Sequence, residues 1–90
     1  VFVNFHIEGV SNSTVTKFTV PYTAATSGVS FGYSTALGFT YDNATYKTPG
    51  RIQLAGNDDV VHLYMTYPGG TLWTASGTKL VAGQFFYQKA

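Results

Sequence analysis

The sequence predicts an all-β domain that folds as a single small antiparallel β-sandwich of about eight short strands. Of its 90 residues, 15 are Phe, Tyr or Trp and 13 are Thr, and these residue types favour pleated, half-buried sheet. Apolar and polar residues alternate along most of the chain, and turn residues recur roughly every 8–12 residues. No segment has the 3.6-residue period of a helix. Antiparallel pairing is therefore expected, with a small closed β-barrel as the alternative.

The first half of the chain contains five candidate strands with period-two alternation. In the first of them, Val3, Phe5 and Ile7 share one face. Residues 9–13 are rich in Gly, Ser and Asn and read as a loop. We therefore expect the first two strands to form an opening hairpin. The five segments are residues 2–8, 14–20, 29–33, 37–41 and 45–47.

The second half contains five more candidate strands, separated by turns rich in Gly, Asn, Asp and Pro. The strongest of them, residues 60–67, carries bulky side chains on both faces. This is typical of a strand in the interior of a sheet, or of one with an outer binding face. The last segment places Phe85 and Tyr87 opposite Phe86, so we expect it to be paired inside a sheet or buried across a dimer. The five segments are residues 51–55, 60–67, 71–74, 79–82 and 84–88.

Charge and composition argue against several classes of function. The net charge is +1, from five basic and four acidic residues that form no basic stripe, whereas nucleic-acid binding requires clustered Lys and Arg. No apolar run approaches the roughly 20 residues that span a bilayer. The chain has no Cys and two His, so neither disulfides nor a zinc site is expected. We predict no metal and no cofactor.

Aromatic side chains outnumber the positions that a core of this size can enclose. A chain of 90 residues buries only a modest fraction of its surface. Some of the 15 rings are therefore expected at the surface, in a ligand site or in a subunit contact. The low net charge also gives little protection against self-association. We therefore expect a homo-oligomer.

The sequence offers one candidate ligand site, on and around residues 60–67. His62 and Tyr64 are two residues apart and share a strand face, and Trp73 follows on the segment that is expected to return beside them. Sugar rings stack on aromatic planes while polar groups fix their hydroxyls, as in other small-molecule pockets. The turn before the strand supplies such polar groups. The predicted ligand-binding residues are Trp73, Tyr64, His62, Asn57, Asp58 and Asp59.

Each of these residues also has a purely structural interpretation. Tyr64 and Trp73 can be cross-strand packing partners, and residues 57–59 can form a turn whose side chains bond to local backbone groups. His6 and Glu8 share a strand face and can be read as an acid–base pair or as a solvated strand surface. No catalytic residue is predicted, since the chain contains no nucleophile motif.

Three functions are compatible with these observations. The first is a secreted, non-enzymatic carbohydrate-binding module of the lectin type, whose weak single sites would gain from oligomer avidity. The second is a protein-interaction, structural or immunomodulatory β-domain that uses exposed aromatics as an oligomer or partner interface. The third is a small hydrolase. The glycosylation sequons at Asn12 and Asn43 fit a secreted protein.

Overall fold

A computed structural model of the chain describes residues 1–26, 33–43, 45–46, 50–66 and 71–90. These residues form extended strands joined by turns and irregular segments, as their alternating pattern requires. The strands are β1 (Phe2–Val10), β2 (Thr16–Thr19), β3 (Tyr33–Ala36), β4 (Phe39–Asp42), β5 (Thr45–Tyr46), β6 (Arg51–Leu54), β7 (Val60–Tyr64) and β8 (Thr78–Phe86).

The strands form two antiparallel sheets that pack face to face as a sandwich. Sheet I has the order β1-β8-β4-β5, and sheet II has the order β2-β7-β6-β3. Because β5 has only two residues, sheet I consists of three full strands and one short hairpin partner. The described strands do not close into a barrel. The predicted sandwich is confirmed, and the barrel alternative is not.

Alternate residues of the strands turn toward a core shared by the two sheets. In β7, Val61 and Leu63 are buried, whereas Val60, His62 and Tyr64 on the other face are half-buried. The same alternation holds in β6. The buried apolar residues are Val20, Ala24, Leu37, Ile52, Leu54, Val61, Leu63, Trp73, Val81, Phe85 and Tyr87.

The predicted opening hairpin is wrong, because β1 and β2 belong to different sheets. β1 pairs with β8 over its whole length, and β2 pairs with β7. Residues 11–15 carry the chain from sheet I to sheet II. Each of the two strands has one apolar face, and a sandwich can bury such a face from either sheet, so side-chain alternation does not determine which strands pair.

The prediction that the strand beginning at Val60 and the last segment of the chain are paired within sheets is confirmed. β7 lies between β2 and β6 in sheet II, and β8 lies between β1 and β4 in sheet I. β8 is one strand, although the sequence predicts two segments separated at Gly83. This glycine does not turn the chain. A Cβ there would lie 3.2 Å from Ile52 Cδ1 and from Leu37 Cδ2, so the two sheets approach closely here and a larger residue would have to displace these side chains.

Other boundaries differ from the predictions. Residues 71–74 form no strand, and they contact β7 through a bond from Met65 N–H to the Thr71 carbonyl, 3.0 Å long. Most of the predicted strand at residues 29–33 lies outside the described residues, and β3 begins at Tyr33. Residues 67–70, the predicted hairpin turn, and residues 47–49 also lie outside them.

Candidate functional site

The predicted pair on β7 lies on the outer face of sheet II. His62 and Tyr64 are both half-buried, and their rings lie 6.5 Å apart at an interplanar angle of 18°. The Arg51 guanidinium lies over the Tyr64 ring, 5.6 Å from its centre. Strand register places one polar side chain of each strand in a row across this face. The row consists of Lys17, His62, Gln53 and Ser34.

The turn at residues 57–59 lies at the far end of β7 from Tyr64. Tyr64 lies five positions after Asp59, which is roughly 17 Å at about 3.3 Å per residue. Asp58 Oδ1 accepts bonds from the Asp59 and Val60 N–H groups, at 2.8 and 3.2 Å. Asn57 has a φ of 63° and donates its N–H to the Ala24 carbonyl. The Asp58 side chain and the Asn57 backbone therefore stabilise the connection, and for Asp58 this matches the structural interpretation.

Trp73 is a core residue rather than a surface platform. Only 2% of its surface is exposed, and its indole N–H donates to the Leu63 carbonyl at 2.8 Å. Trp73 belongs to the buried core between the sheets, whereas His62 and Tyr64 lie on the outer face of sheet II. The structure thus corrects the expectation that these three rings share one face. Of the predicted ligand residues, it brings together only His62 and Tyr64.

A cleft of about 570 Å³ opens between the edge strands of the two sheets. Ile7 and Val10 of β1 form one wall, Lys17 of β2 lies on the other, and Trp73 and Lys79 line the interior. The volume falls within the range of small-molecule pockets. Trp73 is nevertheless almost fully covered by protein. It therefore closes the cleft as a wall and presents no open ring face to a ligand.

The interior of this cleft contains a buried ion pair. Lys79 Nζ lies 3.7 Å from Asp42 Oδ1, with side-chain exposures of 8% and 1%. The same Nζ donates to the carbonyls of Ser11 and Ser76, at 3.0 and 2.9 Å. Asp42 Oδ2 accepts from the N–H and the hydroxyl of Thr74. With these bonds in place the pair joins two irregular segments, around Ser11 and around residues 74–76, to sheet I, so its role is structural.

Along the free edge of β1, the backbone N–H and C=O groups of every second residue point away from β8. Val1 and Tyr87 exchange both of their backbone bonds, at 2.7 and 2.9 Å. In an antiparallel ladder such closely bonded pairs alternate with open ones. The odd-numbered residues of β1 therefore bond to β8. The even-numbered residues, from Phe2 to Val10, direct their N–H and C=O groups away from β8. Among the described residues, no strand pairs with that edge.

Exposed apolar side chains are concentrated along the same edge. Phe2 and its cross-strand partner Phe86 are 53% and 72% exposed, with their rings 4.8 Å apart. Residues 6–10 are all exposed, on both faces of the strand. Six of the eight exposed large apolar residues in the described part of the chain lie in β1, next to it, in the ring partner of Phe2, or in the segment that leads from β1 to β2. Val15, which directly precedes β2, is the sixth, and the other five are Val1, Phe2, Ile7, Val10 and Phe86.

The two ionisable side chains of β1 lie on the outer face of sheet I. His6 Nε2 is 3.6 Å from Glu8 Oε2, and both side chains are about 60% exposed, so this is a solvated ion pair. Within the described ranges, no three His, Asp or Glu side chains converge to hold a metal ion. The same ranges contain no helix of the length and hydropathy that crossing a membrane requires.

Comparison with protein-family models, with curated proteins and with solved structures found no match. The candidate site therefore rests on its own geometry. That geometry favours the β1 edge, which the sequence predictions did not select. One signal of it was present in the sequence: Phe2 stands on the polar face of its strand, in phase with Asn4, His6 and Glu8. An aromatic residue in that position indicates a face that is not purely solvated.

Proposed function

We propose that this domain is a non-enzymatic protein-interaction module that binds an extended polypeptide strand along the free edge of β1. The observation that carries the proposal is the concentration of exposed apolar side chains on the strand whose even-numbered backbone groups are unpaired in the described structure. Strand addition uses both features at once, because main-chain bonds give affinity and alternate side chains give specificity.

The chemistry of the edge supports binding of a peptide. Long, flat, apolar edge strands associate with other strands unless charge, proline or a bulge prevents it. β1 is nine residues long, contains no proline, and pairs with β8 without a bulge. Phe2 and Phe86 add an apolar surface beside the edge, and aromatic residues are enriched in the buried centres of interfaces.

A labelled peptide with the sequence of β1 itself, FVNFHIEGV followed by two lysines for solubility, tests the proposal. We expect its fluorescence anisotropy to rise on titration with the domain, whereas a scrambled peptide of the same composition gives no rise. The proposal is overturned if the peptide shows no binding at domain concentrations up to about 1 mM, where even an affinity of roughly 4 kcal/mol would be detected.

Matched variants test whether the peptide binds at the free edge of β1. Phe2→Ser and Phe86→Ser remove the exposed apolar pair and should weaken binding at least roughly tenfold, the scale of a truncated interface residue. Tyr22→Ser is the control, because Tyr22 is also exposed, at 48%, but does not belong to β1 or its neighbours. Equal losses from all three variants would show that the peptide binds non-specifically.

Glycan binding in a secreted protein is the second candidate function, and the outer face of sheet II favours it. The polar row of Lys17, His62, Gln53 and Ser34 runs beside the Tyr64 ring, and a sugar site needs donors and acceptors next to an aromatic side chain. Asn12 and Asn43 are both exposed, as attachment of glycans to secreted proteins requires. A glycan array with wild-type protein and Tyr64→Ala tests this candidate. An array on which wild type binds no glycan would contradict this candidate, and a glycan bound equally by both proteins would exclude the outer face of sheet II as its site.

A further inference from the structure

We propose that the strand bound at the β1 edge is the β1 strand of a second copy of this chain, in an antiparallel dimer whose twofold axis passes beside Ile7. The inference rests on the proposed function and names the partner for it. In the dimer, sheet I of one copy and sheet I of the other would join into one continuous sheet.

Hydrogen-bond parity limits the possible registers. The outward N–H and C=O groups belong to even-numbered residues, as the reciprocal Val1–Tyr87 bonds require. Two β1 strands can therefore exchange bonds only when even residues lie opposite even residues. In such an antiparallel pair, the numbers of any two residues that lie opposite each other add up to the same even value. The exposed half of β1 comprises residues 6–10. An axis beside Gly9 or Val10 would pair at most three residues of each β1 strand, so the symmetry axis passes beside His6, Ile7 or Glu8.

Charge complementarity selects the axis at Ile7. In that register, His6 of each copy lies opposite Glu8 of the other, so an imidazole donor meets a carboxylate acceptor twice. An axis at Glu8 would place two carboxylates opposite each other, and an axis at His6 would place two imidazoles opposite each other. Two carboxylates directly opposite each other repel, whereas an imidazole N–H that donates to a carboxylate makes a charge-assisted bond, which is stronger than a bond between two neutral imidazoles.

Exposure of the strand supports the same register. The five residues at positions 6–10 are exposed on both faces, so a second strand can lie there without displacing the core. Gly9 has no atom within 4 Å of where its Cβ would be, which leaves open space opposite Phe5 of the second copy. Ile7 lines the cleft between the two sheet edges. The two Ile7 side chains would therefore meet at the mouths of both clefts.

Single-cysteine variants can read the register directly, because the natural chain has no cysteine. In the proposed dimer Ile7 lies opposite itself in an open pair, with Cα atoms about 4.5 Å apart, which a disulfide can bridge. Identical residues at position 6, or at position 8, would lie roughly 8 Å apart, beyond the reach of a disulfide. We expect Ile7→Cys to give a reducible dimer under mild oxidation, and His6→Cys and Glu8→Cys to stay monomeric on non-reducing gels.

Thr19→Cys, an exposed position on β2, is the control for random collision. Crosslinking of Ile7→Cys above this control supports the proposal. Crosslinking of His6→Cys or Glu8→Cys instead, or of none of the three, overturns it. Sedimentation equilibrium of the unmodified wild-type chain provides the second measurement, and a concentration-independent monomer would also overturn the proposal. Peptide binding by such a monomer would leave the proposed function standing, so the two failures are distinguishable.

Exchanging His6 and Glu8 tests the selected axis without a crosslink. Glu8→His alone places imidazoles opposite each other and should raise the dimer dissociation constant roughly tenfold, the scale expected from two lost cross-strand pairs. The double variant His6→Glu, Glu8→His restores both pairs across the axis at Ile7 and should dimerise like wild type. If the double variant dissociates as readily as the single one, the axis does not pass beside Ile7.

Discussion

At the scale of single residues, the best-defined polar contacts are structural. Lys79 and Asp42 lie directly opposite each other on β8 and β4, with both side chains turned into the protein. Transfer of two charges from water is costly unless they are paired and their remaining donors and acceptors are satisfied. Two backbone carbonyls satisfy Lys79, and Thr74 satisfies one oxygen of Asp42. Loss of one partner should therefore cost more than loss of both.

Removal of Lys79 alone should strongly destabilise the fold. We expect Lys79→Met to lower the free energy of unfolding by about 3–5 kcal/mol, because Asp42 keeps a buried charge without its partner. The double variant Lys79→Met, Asp42→Asn should be more stable than this single variant, since an asparagine oxygen can still accept both bonds from Thr74. Urea denaturation followed by circular dichroism measures the two values. A loss below about 1 kcal/mol in the single variant would mean that the pair behaves as if exposed to solvent.

At the scale of elements, the odd-numbered and the even-numbered residues of β1 should differ in their tolerance of proline. Odd residues of β1 donate their N–H groups to β8, and even residues direct theirs to the free edge. Proline has no N–H, and sheets accept it on edge strands where that group faces away from the ladder. The sequence predicted β1 as a strand, but it could not predict this asymmetry, because the alternation of side chains is the same on either edge of a sheet.

Two neighbouring proline variants test the assignment of the edge. Ile7→Pro removes an N–H from the ladder and leaves the Val81 carbonyl without a donor. It should therefore lower stability by about 1–3 kcal/mol more than His6→Pro, in line with the cost of an unsatisfied backbone group. Thermal denaturation of both variants provides the comparison. The same His6→Pro variant should no longer bind the β1 peptide. Equal destabilisation by the two prolines would contradict the inferred parity.

At the scale of the whole molecule, one set of core residues joins the two sheets. Trp73 contributes to it, as do Phe85 and Tyr87 from the end of β8 and the residue that follows it. With no disulfide or metal cluster in the described residues, packing between the sheets is the main source of stability. A small domain of this kind unfolds cooperatively as one unit.

Trp73 should report that unfolding. Because the single tryptophan is 2% exposed and bonded to β7, its emission should be blue-shifted in the folded state and shift to the red when the core opens. We expect the midpoints from tryptophan emission and from circular dichroism to coincide in urea. Separate midpoints would show that the sheets lose their packing in more than one step. Saccharides should leave the emission unchanged, since no ring face of Trp73 is open to a ligand.

The sequence by itself determined the all-β sandwich, the central position of the strand that begins at Val60 and the excess of aromatic rings over core positions. These follow from local properties, namely side-chain alternation, turn residues and composition. Only the tertiary structure decided which strands pair and which rings are enclosed. It turned Trp73 inward beside Leu63 and left Phe2 and Phe86 outside. A period of two gives each strand two faces, but only the position of its neighbours determines which face and which edge remain open to a partner.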